Sequence, residues 1–440
     1  MTRRHRVVVI GAGAAGPMAA IFAARGGAET VLLERTKDGG RKILISGGGR
    51  CNVLPSRLDE SRFVTDSSPN TLRKIVRSWP LASQVAFFEQ ELGVPLVEEA
   101  ASAKLFPASH RARDVRDALL SGAREAGVQL QFDTVVTGVA PTSGLASPDG
   151  EGATGQEAAG RSRAGWTIAL EGATALECDA VVIATGGLSV PNTGSDGRGL
   201  DMLAALGHTL HPRYAALTPL TAAPPTPFDA LAGVSLPVTI TAKGANRAAT
   251  ATGGFLFTHR GYSGPSVLDV SHVITRARAE GAAASVTVRW SALDAGDWER
   301  ALAADGARTI GGAVRQEMPE RLAQTLIAAV GLDATQSLAE LRRADRLRLI
   351  EMLVHGSLPA TGDEGYKKAE VTGGGVSLAE VDPRTMESRL HAGLFLSGEV
   401  LDAFGPIGGY NFLWAWATGR AAGSGAAASD AAARSTLASR

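Results

Sequence analysis

Arg6-Val7-Val8-Val9-Ile10-Gly11-Ala12-Gly13-Ala14-Ala15-Gly16 is the stretch that decides the fold. A β-branched run of this kind suits a buried parallel strand. The glycines after it form a G-x-G-x-x-G pattern and open an Ala-rich stretch, helical through about Arg25. Ala28 to Glu34 reads as the next strand, so the opening is a βαβ unit. Each glycine has its own task there. Gly11 permits the tight turn, Gly13 lets backbone approach a pyrophosphate, and Gly16 allows helix and strand to pack closely. The helix start offers unpaired N–H groups and positive dipole to phosphates. Glu34 ends the second strand about 20 residues on, where a carboxylate accepts from a ribose hydroxyl. The pattern predicts an ADP-containing cofactor.

Outward from this unit, the chain is long enough for two or three domains at ~100–200 residues each: it has 440 residues. Hydrophobic residues are 45% and charged residues 20%, enough apolar surface to bury a sizeable core. Lys+Arg and Asp+Glu are 44 each, which argues against a dedicated nucleic-acid or acidic-membrane binder while leaving room for a local basic patch. Cys51 and Cys178 lie far apart, so no dithiol centre or zinc ribbon is expected, and a reducing compartment is the default. The eight histidines form no HExxH or HxH arrangement, and no metal site is expected. No run reaches the ~18 apolar residues of a membrane span. The basic start, Met1 to Arg6, precedes an apolar run that Gly11 and Gly13 break at once, so it reads as a strand rather than a secretory signal, and a cytoplasmic protein is expected.

The 53 glycines cluster in short loops, as backbone approaching a ligand requires. One such loop spans Gly39 to Asn52. Helices are expected at about Thr71–Leu92, with a break at Pro80, and at Ala112–Ala126; strands are expected at Val128–Ala140, Trp166–Leu170 and Asp179–Thr185. Pro141 to Gly165, rich in Gly, Ala and Ser, is expected to be a loosely ordered hairpin tip. From about Pro191 prolines and short strand-like pieces concentrate, and a charged helical block runs from about Trp298 to Val354. The pattern is one α/β domain interrupted by an insert: residues 1–190 and 370–440 against 191–369. Whether the cofactor is FAD or NAD is decided by later segments. Ala184-Thr185-Gly186-Gly187 closes a second apolar strand with small residues, and Gly408-Gly409-Tyr410-Asn411 opens the last helix. A helix N-terminus aimed at a flavin ring would stabilise the charge of its reduced form, a task that a bare NAD fold lacks.

Assembled, these segments resemble the BaiN/RdsA family of NAD(P)/FAD-dependent oxidoreductases. The match is carried by Gly11–Gly16 with Arg41-Lys42-Ile43-Leu44-Ile45-Ser46-Gly47-Gly48-Gly49-Arg50-Cys51-Asn52, by Phe257-Thr258-His259 with Ser263-Gly264-Pro265, and by Val371-Thr372-Gly373-Gly374-Gly375-Val376 with Gly398-Glu399-Val400-Leu401-Asp402 through Asn411. The resemblance implies an α/β, Rossmann-like, two-dinucleotide-binding-domain flavoprotein, with FAD in a discontinuous domain and an insert that is part β-barrel-like and part helical. By matching positions it implies a cofactor set of Gly11, Gly13, Ala14, Ala15, Gly16, Glu34, Arg35, Arg41, Lys42, Gly49, Cys51, Asn52, Val136, Thr185, Gly186, Gly398, Glu399, Asp402, Gly409, Asn411 and Phe412. Val136 would offer backbone to adenine, and Glu399, Asp402, Asn411 and Phe412 would surround ribityl and flavin.

The family holds both ene-reductases and an amine oxidase, so the resemblance fixes the cofactor better than the reaction. Three activities stay open: NAD(P)H-dependent reduction of an activated C=C bond in a small organic substrate, O2-using amine oxidation, and flavin-bearing RNA modification or regulation. NAD(P)H would bind transiently, since one dinucleotide fingerprint exists. Charge balance favours a small-molecule substrate without nucleic acid or membrane as partner. His259 and Tyr262 are the candidate proton donors, in a Phe257–Pro265 loop expected to close over the flavin; the alternative is a loop-fixing His and a packed Tyr. Cys51 is either a reactive thiol or a small residue in a tight loop. Trp414 and Trp416 either contact flavin or pack the core. Arg342, Arg343, Arg346 and Arg348 either bind RNA or, with Glu340, Asp345 and Glu351, form a solvated helix face.

Overall fold

Val7, Val8 and Val9 have no exposed surface, as a strand covered on both faces requires. They belong to β1 (Arg6–Ile10), the centre of a parallel sheet with β2 (Glu29–Leu33), β3 (Gln129–Gln131), β4 (Ala180–Ile183) and β5 (Leu394–Leu396). The strand order is β5-β4-β1-β2-β3, with Val8 beside both Val31 and Val181. The structure, a computed structural model, describes residues 4–100, 102–142, 165–304 and 308–438. Residues 143–164 of the expected hairpin tip lie outside the described residues.

The chain divides into two compact units, Met1–Arg213 with Gly373–Arg440, and Tyr214–Thr372. The first boundary falls later than residue 190 because the helix Arg198–Ala205 buries Leu200 and Leu203 in the core of the parallel sheet. In this first unit, α1 (Ala15–Arg25) and α3 (Tyr410–Ala438) pack together, while α2 (Pro69–Arg77) buries Leu72, Ile75 and Val76. The α1–α3 contact is made backbone to backbone. A Cβ at Gly423 would stand 2.1 Å from the Ala19 carbonyl oxygen, and one at Gly419 would stand 2.5 Å from that of Ala15. The expected strand Val128–Ala140 is two strands, Gln129–Gln131 and Val136–Pro141, separated where Asp133 turns left-handed (φ 52°). The second of them joins Trp166–Leu170 and Ala173–Cys178 in a small antiparallel sheet.

The second unit holds a seven-stranded antiparallel sheet whose edge strands are Gly356–Ser357 and Gly362–Asp363. A flat seven-stranded sheet would set its edges nearly 30 Å apart, at ~4.8 Å per strand. The short connection from Ser357 to Gly362 reaches less than about 18 Å even fully extended. The sheet therefore curls, which is the β-barrel-like part of the insert. Phe228, Phe255, Phe257, Tyr262 and Trp290 fill it. The expected helical block is a series of short helices, of which Glu320–Ala329 and Arg343–His355 are the longest.

Candidate functional site

The turn after β1 is tight on one side and open on the other. Gly11 has φ +102°, and a Cβ there would lie 2.6 Å from the Ala184 carbonyl oxygen; a Cβ at Gly16 would lie 1.8 Å from the Gly11 carbonyl oxygen. Gly13 has nothing within 4 Å of its Cβ position, so its outer side is open. Ala14 and Ala15 begin α1 with no side-chain cap and no acid in the first turn, leaving positive dipole for an anion. Glu34, 8% exposed, braces this turn: Oε2 accepts from the Ala12 N–H at 2.7 Å, and Oε1 accepts from the Thr36 N–H at 2.8 Å and the Thr36 hydroxyl at 2.7 Å. Its carbonyl accepts from the Thr134 N–H at 2.9 Å, which brings the strand carrying buried Val136 alongside.

The Gly39–Asn52 loop folds back on the same turn, with the Gly40 N–H donating to the Ala12 carbonyl at 2.7 Å. Lys42 Nζ donates to Ser189 Oγ at 2.7 Å and Glu399 Oε2 at 2.8 Å, and Ser189 donates to Glu399 Oε1 at 2.6 Å. This closed triangle ties the loop after β2 to the segments after β4 and β5, all at the carboxyl ends of the strands, where α/β sheets bind ligands. The resemblance placed Lys42 and Glu399 near the cofactor without pairing them; Ser189 was not singled out, since nothing marks one serine after a glycine pair. Arg41 pairs with Asp38 at 2.7 Å, and Arg35 pairs with Asp196. Gly49 (φ +84°) and Arg50 precede Cys51 and Asn52 follows it; Cys51 is fully buried with φ 58° and its N–H on the Ser46 carbonyl at 3.0 Å. Burial pushes the Cys51 thiol up to about 12, which removes the reactive-thiol reading.

Thr185 and Gly186 follow β4. Thr185 is packed so closely that a Cβ at Gly199 would meet its hydroxyl at 1.9 Å, and Gly186 (φ +75°) leaves no room beside Ser195. Gly398 (φ +74°) sits against Ala15, with its N–H on Thr418 Oγ1 at 2.9 Å and its carbonyl on Trp414 Nε1 at 3.0 Å. Trp416 donates to the Val53 carbonyl at 3.1 Å and stacks on Phe412 at 5.4 Å, so both tryptophans brace the core. Gly409 (φ +93°) would clash with Leu54 backbone if it carried a side chain.

Two residues expected around ribityl and flavin hold parts of the chain itself. Asp402, 2% exposed, accepts at Oδ2 from the Asp66 and Ser67 amides at 2.9 and 2.8 Å, and from the Thr65 and Ser67 hydroxyls at 2.9 and 2.8 Å. It fixes the Thr65–Ser67 turn. Asn411 accepts from the Gly405 N–H at 2.9 Å and donates to the Gly405 carbonyl at 3.0 Å, closing the loop before α3. The proposed proton donors fare differently. Tyr262 is 1% exposed within the aromatic core of the second unit, where burial raises its pKa and its hydroxyl has no hydrogen-bond partner. That placement corrects its assignment as a donor: it is a packed core residue. His259 is exposed at the tip between the strands Ala248–Thr258 and Gly261–Ser263.

The open Gly13 edge, the uncapped α1 start and the braced Glu34 fit an adenine dinucleotide. No group of three or more His, Cys, Asp or Glu is gathered for a metal among the described residues. No described helix is long and apolar enough to cross a membrane.

Comparison with known proteins agrees with this geometry. The chain is 31% identical to a ribosomal RNA dihydrouridine synthase of Escherichia coli over 94% of this chain and 96% of that one. It is also 31% identical to a 3-dehydro-bile acid delta(4,6)-reductase of Clostridium scindens, over 96% and 99%. Among solved structures, a 3-ketosteroid delta1-dehydrogenase of Sterolibacterium denitrificans shares the fold, at TM-score 0.52 and 12% identity over 97% of this chain and 99% of that one. The HI0933-like protein Rossmann domain family matches residues 5–425. With that match over the braced nucleotide turn and the parallel sheet, the chain belongs to the HI0933-like, BaiN/RdsA-type family of FAD-dependent oxidoreductases.

Proposed function

We propose that the protein reduces a carbon–carbon double bond conjugated to a carbonyl, with FAD as its bound cofactor and NAD(P)H as a transient electron donor. The observation that carries this reading is the shared reaction of two relatives matched over nearly their full length. Dihydrouridine is uridine with its C5=C6 bond saturated, and a delta(4,6)-reductase of a 3-oxo steroid saturates bonds conjugated to that ketone. The substrates differ in kind while the bond reduced is of one type.

FAD, when bound, supplies the hydride chemistry. The chain's residues bind and orient. Glu34 would accept from the adenosine ribose, the start of α1 would hold the pyrophosphate, and Gly13 leaves space for that approach. Glu399 and Ser189 hold the Lys42 ammonium in one position at the carboxyl edge of the sheet. The start of α3 would stabilise negative charge on a ring held before it. His259, exposed and carrying an imidazole, is the remaining candidate for the substrate proton.

Anaerobic stopped-flow spectroscopy tests the proposal. NADH or NADPH should bleach the flavin band, and cyclohex-2-enone or a uracil substrate should restore it. Failure of both nicotinamides to bleach, together with peroxide release on adding amines, would replace the reductase with an oxidase.

A further inference from the structure

The first unit contains an open cleft of about 770 Å3, the size of a small-molecule site, lined by Lys74, Arg77, Arg384, Arg389 and Arg420 against the single carboxylate of Asp382. Its remaining lining is Ser78 and Pro383, with no aromatic ring. Three distant segments build it. Lys74 and Arg77 project from the exposed face of α2, opposite buried Leu72, Ile75 and Val76, and Ser78 caps the end of that helix. Arg384 and Arg389 come from the loop before β5, and Arg420 comes from α3. None of these residues belongs to the cofactor set implied by the resemblance, so the cleft is independent of the reaction proposed above.

Charge pairing inside the cleft leaves a definite remainder. Asp382 turns to its own neighbour: Oδ1 accepts from the Arg384 N–H and Nε at 2.9 and 3.2 Å, and Oδ2 accepts from Nη2 at 3.0 Å. Arg77 pairs with Glu60 at 2.8 Å. Lys74, Arg389 and Arg420 have no carboxylate partner among the described residues. Arg420 is held instead by rings and backbone. It lies over the Trp79 ring at 5.4 Å and the Phe22 ring at 5.6 Å, and donates to the Ser78 carbonyl at 3.3 Å. That bond covers a carbonyl at the end of α2, which would otherwise repel an anion. Arg389 Nε donates to the Val381 carbonyl at 3.1 Å. Three positive charges therefore stand uncompensated, two of them on anchored guanidiniums. A second observation is independent of charge. The Ser78 hydroxyl is buried and has no hydrogen-bond partner, although its residue lines the cleft. An unpaired buried hydroxyl is a standing cost that an acceptor in the cleft removes.

We infer that this cleft binds a compact oligophosphate, of which inorganic pyrophosphate is the simplest. Two phosphoryl groups together carry about −3, the charge that Lys74, Arg389 and Arg420 leave open. Guanidiniums engage phosphoryl oxygens through paired N–H donors. Tetrahedral phosphoryl groups also accept from directions outside one plane, which suits donors arriving from three separate segments. The Ser78 hydroxyl adds a neutral donor to one of those oxygens. With no ring to stack a base and only Pro383 as apolar lining, the cleft offers nothing to hold an organic group. By bridging α2, the loop before β5 and α3, the bound ion stabilises the folded first unit.

The test is titration calorimetry of the full-length, FAD-loaded protein with sodium pyrophosphate at fixed ionic strength. The parent should take up one pyrophosphate per chain, about 10-fold tighter than orthophosphate, with a raised thermal midpoint and no release of flavin. Lys74→Gln with Arg389→Gln should weaken binding at least about 10-fold with FAD content at the parent value. Lys74→Gln alone should weaken it about 3-fold, which covers misfolding of the double variant. Ser78→Ala leaves every charge in place and should still weaken it at least about 3-fold. Parent-like Kd in both Lys74→Gln and Ser78→Ala would overturn the inference, as would a parent that millimolar pyrophosphate does not saturate. Citrate binding as tightly as pyrophosphate would overturn it by reducing the cleft to charge attraction alone. Release of flavin would overturn it by placing the ion at the nucleotide turn. A uridine-rich 20-mer RNA that displaces pyrophosphate at equal phosphate concentration would overturn it by assigning the cleft to a polynucleotide.

Discussion

Replacing Glu34 by Ala should uncouple FAD binding from an otherwise folded protein, and the size of the effect follows from the three bonds its carboxylate accepts. Two of them satisfy backbone N–H groups, those of Ala12 and Thr36, and Ala12 has no exposed surface. Losing a charged acceptor costs about 1.5–3 kcal/mol per bond, offset in part by water entering the vacated space. The cofactor-free protein should therefore lose about 2–4 kcal/mol, seen as a lower midpoint in urea with an unchanged slope. FAD loses its ribose acceptor as well, another ~1.5–3 kcal/mol, so its Kd should rise roughly 10- to 150-fold. Glu34→Gln, which retains one acceptor oxygen, should fall between. Titration of cofactor-free protein with FAD, followed by flavin fluorescence, gives the Kd for each variant. If Glu34→Ala binds FAD at the parent Kd, the carboxylate is a brace for the turn alone and the ribose is held by other groups.

The remaining predictions concern buried titratable groups. Cys51, whose thiol sits at about 12 when folded, stays protonated where the unfolded chain ionises near 9, so the parent should lose stability as pH rises from about 9 toward 12. Cys51→Ala should flatten that loss in urea titrations at pH 8 and 10.5, and the folded parent should resist thiol labelling at pH 8. Tyr262→Phe should keep the stability or raise it by about 1 kcal/mol, seen as an equal or higher thermal midpoint, because it removes an unpaired buried hydroxyl, and it should leave single-turnover flavin reoxidation unchanged. His259→Phe should slow that same reoxidation by roughly 10²–10⁴ if the imidazole is the acid, and parent-like rates in it would assign the proton to solvent. Burial, reinforced by the Arg247 and Arg276 charges, pushes His272 down to about 4. It stays neutral when folded, so stability is present above about 6.5 and is lost as pH falls toward 4; His272→Gln should reduce that acid loss in a thermal scan series.

Local pattern told most where one segment does one job. The β1–turn–α1 unit was legible because its glycines, strand and acid lie within one βαβ stretch, whereas the register that sets Val8 between Val31 and Val181 is fixed only by the folded sheet. The strand Ala248–Thr258 escaped notice because its residues are mainly Ala, Thr and Gly, which carry little period-2 contrast; its partner Ser235–Lys243 supplies that contrast. The helix Pro265–Ala279 was hidden for a related reason, as its buried face includes Ser266, Ser271, His272 and Thr275 among its aliphatics. In the site, Glu34 stood out by its place at the end of the second strand, whereas the Lys42–Glu399 pair and the Asp402 grip on Thr65–Ser67 join residues more than 330 positions apart and leave no local trace.

The contact of α3 with α1 bears on how the protein is made. Ribosomes deliver α1 long before α3, yet Gly419 and Gly423 seat directly on the Ala15 and Ala19 carbonyls of α1, and β5 flanks β4. The first unit therefore waits through the synthesis of Tyr214–Thr372, a continuous segment with a hydrophobic core of its own. FAD capture then becomes a late event, coupled to the closing of the chain on itself. Nascent chains arrested before about residue 390 should emerge with a folded insert and without flavin.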